Sequence, residues 1–386
     1  MAEVPVNGRV LQWARDIRGL SLTAAAELLE ISSDELRAYE SGDKKPLVGL
    51  LRKISARYQI NFTSLLMPEP LPPRKLPTDH RIRYQKKRLS INTLVAIEDV
   101  TEALEIFRDI SAAKRSIIPK LKIGRATLRE NPEEVAARER QKFGVSYEMQ
   151  RSWRNHRKAR IEWRRRIEER GIFSYMIALP IDELSGFSVL HDRLAAICIN
   201  DNEPTEGAKT FTLLHEYCHL LLRKAGISDQ NNSNNVERFC NRFAASFLVP
   251  RNLLTAFISA SLGDITFPYE FSYSDVSRLS RAFLVSNSAI ALRLEETELA
   301  PRGFYGKKKA VWDVAVQPQR PVPIQTQPTG SLKISQVRVR IKRIGRLHAS
   351  TVLEAVKRKA INSFDASELI GMRPEYFHKF EEALFG

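Results

Sequence analysis

Apolar residues recur at three- and four-residue spacing in the first part of the chain, and short polar turns interrupt them. This spacing predicts four short helices, over residues 10–15, 21–29, 31–42 and 46–58. Ser21 or Thr23 lies near the start of the second helix, and Gly42 ends the third. Ala25 fits a tight helix crossing and Ile31 fits the turn. The pattern therefore predicts a helix-turn-helix bundle in this region.

Helical periodicity returns over residues 90–118 and 132–170. Residues 172–179 and 187–199 are instead apolar and β-branched, which is typical of strands. A long apolar run over 210–222 follows and predicts a buried helix. Strands followed by such a helix predict an α+β domain with a small sheet, in a protein that is mainly helical.

Two proline-rich stretches divide the chain. Residues 68–78 form the first and predict a stiff linker, and residues 301–330 form the second, which also carries basic charge. Helical periodicity resumes after the second stretch. The predicted organisation is a helix-turn-helix domain over 1–67, a larger domain over 79–300 with a basic helical lead-in, and a small helical C-terminal module over 331–386.

The composition fits a soluble protein. The length of 386 residues and the hydrophobic content of 43% allow two or three domains, each with its own core. No apolar run has the length of a membrane span, and the segment Met1 to Pro5 is not a signal peptide. The three cysteines (Cys198, Cys218 and Cys240) are too few for a disulfide framework. We therefore expect a cytoplasmic protein with reduced thiols and no membrane partner.

The net charge of +16 is unevenly distributed. Residues 171–300 hold 10 basic and 15 acidic residues, whereas residues 73–170 hold 26 and 14, and residues 301–386 hold 16 and 7. Basic segments thus flank an acidic central region. Such segments bind nucleic acid or an acidic protein, or they are solvated helix faces, and the charge alone leaves these alternatives open.

Two tryptophans, Trp153 and Trp163, lie in the basic helical region beside Arg164 to Arg166. Aromatic residues among arginines can stack on nucleic-acid bases. Tryptophans on amphipathic helices are more often core anchors, because most of their surface is usually buried. We favour the core interpretation.

The apolar helix predicted at 210–222 contains the sequence His215-Glu216-Tyr217-Cys218-His219. On a helix, the two histidines lie on one face, one turn apart, so both imidazoles can reach one metal ion. Glu216 lies beside them, where a carboxylate can act as the base toward water. This H-E-x-x-H arrangement predicts a zinc metallopeptidase with Glu216 as its catalytic residue. The alternative is a core helix whose histidines are merely hydrogen-bonded.

A catalytic zinc site needs a third protein ligand and keeps a fourth position open for water. Glu237 is the best candidate, because it lies on an amphipathic helical segment after a polar loop. Cys240 is the rival ligand, since thiolate suits zinc. Asn241 is predicted to hold one of the ligands in place. Zn²⁺ is the expected metal and Mn²⁺ the alternative, because ligand type restricts the metal without fixing it.

The stretches that carry a family resemblance are Phe211 to Leu220, Glu237 to Ala245 and Leu248-Val249-Pro250. They resemble the ImmA/IrrE metallopeptidase family, over about residues 170–295. The resemblance implies a zincin-like catalytic domain in which His215, His219 and Glu237 bind zinc and Glu216 is the base. Cys240 is a small departure, because an alanine is usual at that position. Family members typically cleave helix-turn-helix repressors, and some accompany toxins as antitoxin-like proteins.

Residues 7–67 resemble the Xre/Cro-type helix-turn-helix family, through residues 20–26, Tyr39 to Gly42 and Pro46. The candidate DNA-contacting residues are Ser32, Ser33, Arg37, Lys44 and Lys45. Asp34 and Glu35 lie at the same helix start and would face the phosphates. Recognition of a related protein, or dimerisation, is therefore an equal alternative to DNA binding, and a homodimer stays open.

Two functions follow from these features. The first is a zinc endopeptidase that cleaves a regulatory protein, a helix-turn-helix repressor, in a bacterial mobile-element or stress-response circuit. The second is an antitoxin or transcriptional regulator, with DNA or a cognate toxin as its partner, in which peptidase activity is secondary or absent. The intact Glu216 favours the enzyme, because a structural metal site needs no base there.

Overall fold

A computed structural model of the chain describes residues 3–71, 80–82, 89–113, 117–223, 230–263, 265–307 and 334–385. Most of the two predicted proline-rich linkers therefore lies outside the described residues. The described residues are mainly helical, with one small sheet, which confirms the α+β prediction. The chain divides into two compact units. The N-terminal unit comprises Met1–Leu76 with Ile82–Asp99, and the C-terminal unit comprises Pro77–Arg81 with Val100–Gly386.

The N-terminal unit is a bundle of short helices. They are α1 (Gly8–Asp16), α2 (Leu22–Leu29), α3 (Ser33–Ser41), α4 (Val48–Tyr58), a 3-10 helix (Phe62–Leu66) and the beginning of α5 (Ile91–Ala113). Ser21, and not Thr23, caps α2, because its hydroxyl accepts the N–H of Ala24. Gly42 ends α3 with a φ of 87°, a left-handed conformation that favours glycine. The four predicted helices are confirmed.

The core of this bundle is formed by apolar side chains from α1 to α4 and the 3-10 helix. Leu11 and Ala14 of α1 pack with Ala25 of α2, Leu36 of α3 and Leu51 of α4, all essentially excluded from solvent. The absence of a larger side chain at the buried Ala25 lets α2 approach its neighbours closely. Burial of these residues stabilises the bundle, at roughly 25 cal/mol for each Å² of apolar surface.

The C-terminal unit contains the sheet. Its strands are β1 (His80–Ile82), β2 (Ile172–Ile177), β3 (Leu184–His191) and β4 (Leu194–Asn200), in the order β1-β3-β4-β2. β4 is parallel to β2 and antiparallel to β3. The strand-like residues 187–199 lie in two strands, β3 and β4. The chain turns at Asp192, which has a φ of 53°, and β3 and β4 form a hairpin.

Helices surround this sheet. They are α6 (Pro132–Phe143), α7 (Tyr147–Ser152), α8 (His156–Glu168), α9 (Glu206–Leu222), α10 (Gln230–Leu248), α11 (Arg251–Leu262), α12 (Tyr273–Phe283), α13 (Asn287–Glu296), α14 (Ile334–Ile344), α15 (Arg346–Lys357), α16 (Ser363–Ile370) and α17 (Phe377–Phe385). The prediction of one helix over 132–170 is wrong, because left-handed residues at Gly144 and Arg154 divide it into α6, α7 and α8.

The main core lies between one face of the sheet and α8, α9 and α10. Trp153 and Trp163 are both buried in it, with their ring planes perpendicular and their centroids 5.0 Å apart. Arg140 lies over the Trp163 ring. The interpretation of these tryptophans as core anchors is confirmed, because little of either side chain is left to stack on a base.

The C-terminal helices pack on β2 from the other side. His348 of α15 is buried there. Its Nδ1 accepts a hydrogen bond from the hydroxyl of Tyr175 at 3.0 Å, and its Nε2 donates to the carbonyl of Leu369 at 3.1 Å. Phe107 of α5 stacks on Phe173 of β2 and meets the imidazole edge-on. The helices α14 to α17 thus complete a layer over the sheet.

The free energy of unfolding is expected to fall as the pH decreases below about 6.5. Burial lowers the pKa of His348 to about 3, from an ordinary value of 6.5. Between pH 6.5 and about pH 5, this histidine becomes protonated in the unfolded chain but stays neutral in the folded chain. The difference lowers the free energy of unfolding by about 2 kcal/mol. Urea unfolding of the metal-free protein across this range measures the slope.

The control for this prediction is the His348→Gln variant. Its unfolding free energy should depend less on pH in that range, although the variant is less stable throughout. The exposed His378→Gln variant should keep the slope of the unmodified protein. Equal slopes for the unmodified protein and His348→Gln would contradict the assignment.

Within the described residues, no single helix is long and apolar enough to cross a membrane. Two helices joined at a bend, Asn235–Leu248 and Arg251–Leu262, are together long and apolar enough, by length and composition only.

Candidate metal centre

The helix α9 carries the H-E-x-x-H sequence into the core. Thr205 caps it, since its hydroxyl accepts the N–H of Ala208 at 3.0 Å. His215, Glu216 and His219 are all buried, and one ligand atom from each lies within 4.8 Å of the others. The two Nε2 atoms of the histidines face each other at 3.0 Å. The four-residue spacing thus places both imidazoles at one point, as expected on a helix.

The helix α10 brings Glu237 to the same point. Its Oε2 lies 3.3 Å from Nε2 of His215, and its Oε1 lies 3.1 Å from Nε2 of His219. Burial would raise the pKa of Glu237, but hydrogen bonds and charge attraction from the two imidazoles outweigh it and lower that pKa far below its ordinary value. The Glu237 side chain remains 34% exposed, so the cluster is open to solvent on this side.

These donors fit a divalent cation of the zinc type. Two imidazole nitrogens and one carboxylate are the ligands that catalytic zinc sites use, and they come from two rigid helices. The Nε2 atoms are about as far apart as two ligands of one tetrahedral ion, because zinc–nitrogen bonds are about 2.0 Å. The residues present therefore match the donor set of a metal centre.

Glu216 is held by a strand that was not part of the predicted site. The hydroxyl of Ser188 on β3 donates to its Oε2 at 3.0 Å, in a buried environment. A polar residue between the apolar Phe187 and Val189 was the signal in the sequence that could have identified Ser188. The bond fixes the orientation of the carboxylate toward the imidazoles.

Gly186 allows α9 to approach the sheet this closely. A Cβ atom there would lie 2.7 Å from the carbonyl oxygen of Cys198 and 2.6 Å from the side chain of Thr212, with Glu216 Cγ at 3.5 Å. The first contact is with the backbone of β4, which cannot move aside without disturbing the hairpin.

The Gly186→Ala variant is expected to lose about 2–3 kcal/mol of unfolding free energy, because overpacking forces the helix and the sheet apart. Zinc content should fall as well, since His215 and His219 move with α9. Gly306→Ala is the matched control, because a methyl group added at Gly306 would meet no atom of the described residues within 4 Å. Thermal unfolding measures the stability of both variants, and their zinc content measures metal binding. Equal stability of the two would show that the helix and sheet tolerate the methyl group.

The other residues singled out near the motif lie in different environments. Cys240 is buried, and burial, with a hydrogen bond to Cys218, raises the pKa of its thiol well above the ordinary value. The thiol also contacts His219, so the rival ligand lies beside the same centre. Asn241 lies one turn after Glu237 on α10 and is partly exposed. The hydroxyl of Tyr217 points elsewhere, because it donates to Glu139 at 2.7 Å.

The candidate DNA-contacting residues lie on and after α3. Ser32 caps this helix, and its hydroxyl accepts the N–H of Glu35. Ser33 is the first residue of the helix and is partly exposed. The serine hydroxyl at the cap is therefore already committed to the protein's own backbone.

The three candidate cations are exposed, and acidic neighbours hold two of them. Arg37 bonds to Asp34 at 2.7 Å, and Lys44 bonds to Glu35 at 2.6 Å. Lys45 is exposed beside them. These ion pairs reduce the positive charge that the start of α3 presents to a phosphate backbone.

Comparison with known families agrees with this geometry. Residues 168–295 match the model of a peptidase family, described as the IrrE N-terminal-like domain. These residues are similar to an IrrE N-terminal-like domain. Residues 11–65 match the helix-turn-helix model. The combination matches an ImmA/IrrE protein with an Xre-type helix-turn-helix domain, which confirms both resemblances.

The IrrE N-terminal-like domain includes β2, β3, β4 and the helices α9 to α13, with all four residues of the centre. The helices α6 and α7, and most of α8, precede the matched region, although they pack on α9 and α10. No curated protein matches the chain.

Proposed function

We propose that this protein is a zinc-dependent endopeptidase that cleaves a regulatory protein. The observation that carries the proposal is the convergence of His215, His219 and Glu237 from two helices, with the Glu216 carboxylate buried beside them. The peptidase family match supports it. A purely structural metal site closes its coordination with four protein ligands and needs no base beside them.

His215, His219 and Glu237 would hold the cation. When bound, zinc supplies Lewis acidity that polarises the scissile carbonyl and acidifies water. Glu216 then acts as the base, held by the hydroxyl of Ser188 at its Oε2. Its carboxylate accepts a proton from the attacking water and afterwards delivers it to the leaving amine. Ser188 keeps the carboxylate aimed at that water throughout the cycle. The partly exposed side of Glu237 leaves room for a peptide to enter.

The proposed substrate is a helix-turn-helix repressor of a bacterial mobile element or stress response, in the cytoplasm. The chain's own helix-turn-helix domain supports this choice, because such domains often recognise related domains or their operators. The test incubates the purified full chain, zinc and the repressor encoded beside its gene, and follows cleavage by intact mass spectrometry. Discrete zinc-dependent fragments support the proposal. An intact repressor under all conditions, with zinc bound, refutes it.

A second function, as an antitoxin or DNA-binding regulator, is favoured by the helix-turn-helix match and by the basic segments. Its partners would be operator DNA or a cognate toxin. The two functions differ in their dependence on Glu216, because a regulator that acts only by binding keeps its activity when this carboxylate is removed.

If the N-terminal domain binds DNA, Asp34→Asn is expected to tighten binding to duplex DNA by about 3-fold to 10-fold at low salt. The substitution removes a negative charge from the start of α3 and releases Arg37 from its ion pair. Asp16→Asn on α1 is the matched control, because it removes the same charge from a residue that also pairs with an arginine, Arg15 at 2.9 Å. Fluorescence anisotropy at several salt concentrations measures both, and the affinity should weaken steeply with salt. An unchanged affinity for Asp34→Asn would exclude this helix from the DNA interface.

A further inference from the structure

A groove of about 1090 Å³ lies in the C-terminal unit, between α6 and the start of α11. None of the four residues of the metal centre lines it. Ser246, which lines it, follows Glu237 by nine residues on α10, which is about 13 Å along the helix axis. The volume is that of a small-molecule site. The groove is therefore a feature separate from the peptidase centre.

Two hydroxyl groups of this groove point to a ligand. Ser246 is only 4% exposed, and its Oγ is buried without a hydrogen-bond partner in the described part of the chain. The hydroxyl oxygen of Tyr147 is likewise buried without a hydrogen-bond partner in the described part of the chain. A buried hydroxyl without a partner costs about 1–3 kcal/mol. Two such groups lining one groove indicate an occupant that accepts hydrogen bonds.

The groove also contains a buried cation. Arg140 is 8% exposed and lines the groove. It donates to the carbonyl of Phe247 at 2.7 Å and to Oε1 of Gln150 at 2.8 Å. A guanidinium has five N–H donors, so these bonds leave donor capacity. No charged partner among the described residues acts on Arg140, and burial lowers the pKa of its guanidinium to about 10. The C-terminal end of α10 offsets only part of its charge.

The start of α11 adds a second source of positive potential. Its N-cap residue is Pro250, which makes no side-chain cap bond, and the first hydrogen bond within the helix is from Leu254 N to Pro250 O. The N–H groups of Arg251, Asn252 and Leu253 precede that bond, so they point outward from the helix end. All three residues line the groove. A helix end of this kind attracts anions.

The acidic residues of the groove do not cancel this potential. Glu133 is bound to the buried Arg293, so its charge is already matched. Glu134 lies at the exposed rim, where Arg251 supplies a charge of the opposite sign. Apolar residues, among them Val145 and Leu253, form the rest of the lining.

We propose that this groove binds a small organic anion with an oxygen-rich head, a carboxylate or a phosphate, on an apolar body. The head accepts hydrogen bonds from Arg140, Ser246 and the first turn of α11. The apolar body lies against Val145 and Leu253. Both head groups present anionic oxygens, and the experiment distinguishes them.

Isothermal titration calorimetry of the full chain with decanoate, decyl phosphate and decanol tests the chemistry of the ligand. The two anions should bind at one site for each chain, and decanol should bind at least about 10-fold more weakly, since it lacks the charge. The tighter of the two anions identifies the head group. Equal binding of decanol, or no binding of either anion up to its solubility limit, would overturn the proposal.

Three variants test the location. Asn252→Glu places a carboxylate at the second position of α11. A negative charge there stabilises the helix but repels a bound anion, so the affinity for the anion should fall at least about 10-fold. Ser274→Glu also places a carboxylate at the second position of a helix, α12, but outside the groove. Its affinity for the anion should stay within about 2-fold of that of the unmodified protein. Ser246→Ala should weaken binding about 3-fold to 10-fold.

Circular dichroism establishes that each variant folds before its affinity is compared. If Ser246→Ala is unfolded, the contrast between Asn252→Glu and Ser274→Glu decides alone, because both substitutions are at exposed sites. Equal affinities for those two variants would place the anion elsewhere and end the assignment of the groove.

Discussion

Glu216→Gln is expected to lower kcat for repressor cleavage by about 10³-fold while leaving the metal bound. The amide has nearly the shape of the carboxylate, so α9 keeps its packing and the hydroxyl of Ser188 keeps an oxygen partner. It cannot accept a proton from water, however, and that proton transfer is the step assigned to Glu216. The histidines and Glu237 are unchanged, so zinc content should remain that of the unmodified protein.

Single-turnover cleavage measured by mass spectrometry, with zinc determined on the same samples, checks this result. Glu206→Gln is the matched control, because it makes the same change on the same helix, in a residue that pairs with Arg160 at 2.5 Å. That variant should lose some stability and almost no activity per bound zinc. Equal cleavage by Glu216→Gln and the unmodified protein would remove Glu216 from the mechanism and favour the regulator.

The part of the site that the sequence predicted depends on spacing within a helix. His215, Glu216 and His219 are four residues apart or fewer, and helix geometry alone places them together. The position of Glu237 beside the two histidines does not follow from helix spacing, because it depends on the path of the chain between α9 and α10. The amphipathic segment after a polar loop suggested Glu237, the family resemblance suggested it again, and its carboxylate oxygens lie 3.3 and 3.1 Å from the two imidazoles.

The residues that the sequence did not predict act across large separations. Ser188 meets Glu216 only because β3 packs on α9, 28 positions apart in the chain. Tyr175 and His348 are 173 positions apart, and no local pattern indicates that the C-terminal helices cover β2. The division of 132–170 at Gly144 and Arg154 was missed for a similar reason, because apolar periodicity continues across both breaks while the backbone does not.

Glu237→Gln is expected to weaken zinc binding by at least about 100-fold, because it removes the charged ligand while keeping the shape of the side chain. The expectation rests on the position of the carboxylate, whose two oxygens face one imidazole each at 3.1 and 3.3 Å. The substitution also removes the negative charge that offsets a dication. Competition with a chromophoric chelator at constant pH measures the affinity, since protons compete for the histidines.

Two further variants separate the possible third ligands. Cys240→Ala should leave zinc affinity within about 3-fold if Glu237 is the third ligand, because the carboxylate oxygens of Glu237 already face both imidazoles. Asn241→Ala should weaken binding by about 10-fold, as expected for a residue that only orients a ligand. If Cys240→Ala lowers zinc affinity more than Glu237→Gln does, the third ligand is the Cys240 sulfur and not the Glu237 carboxylate. The centre would then have two histidines and a cysteine, since Cys240 lies one turn after Glu237 on α10 and already contacts His219.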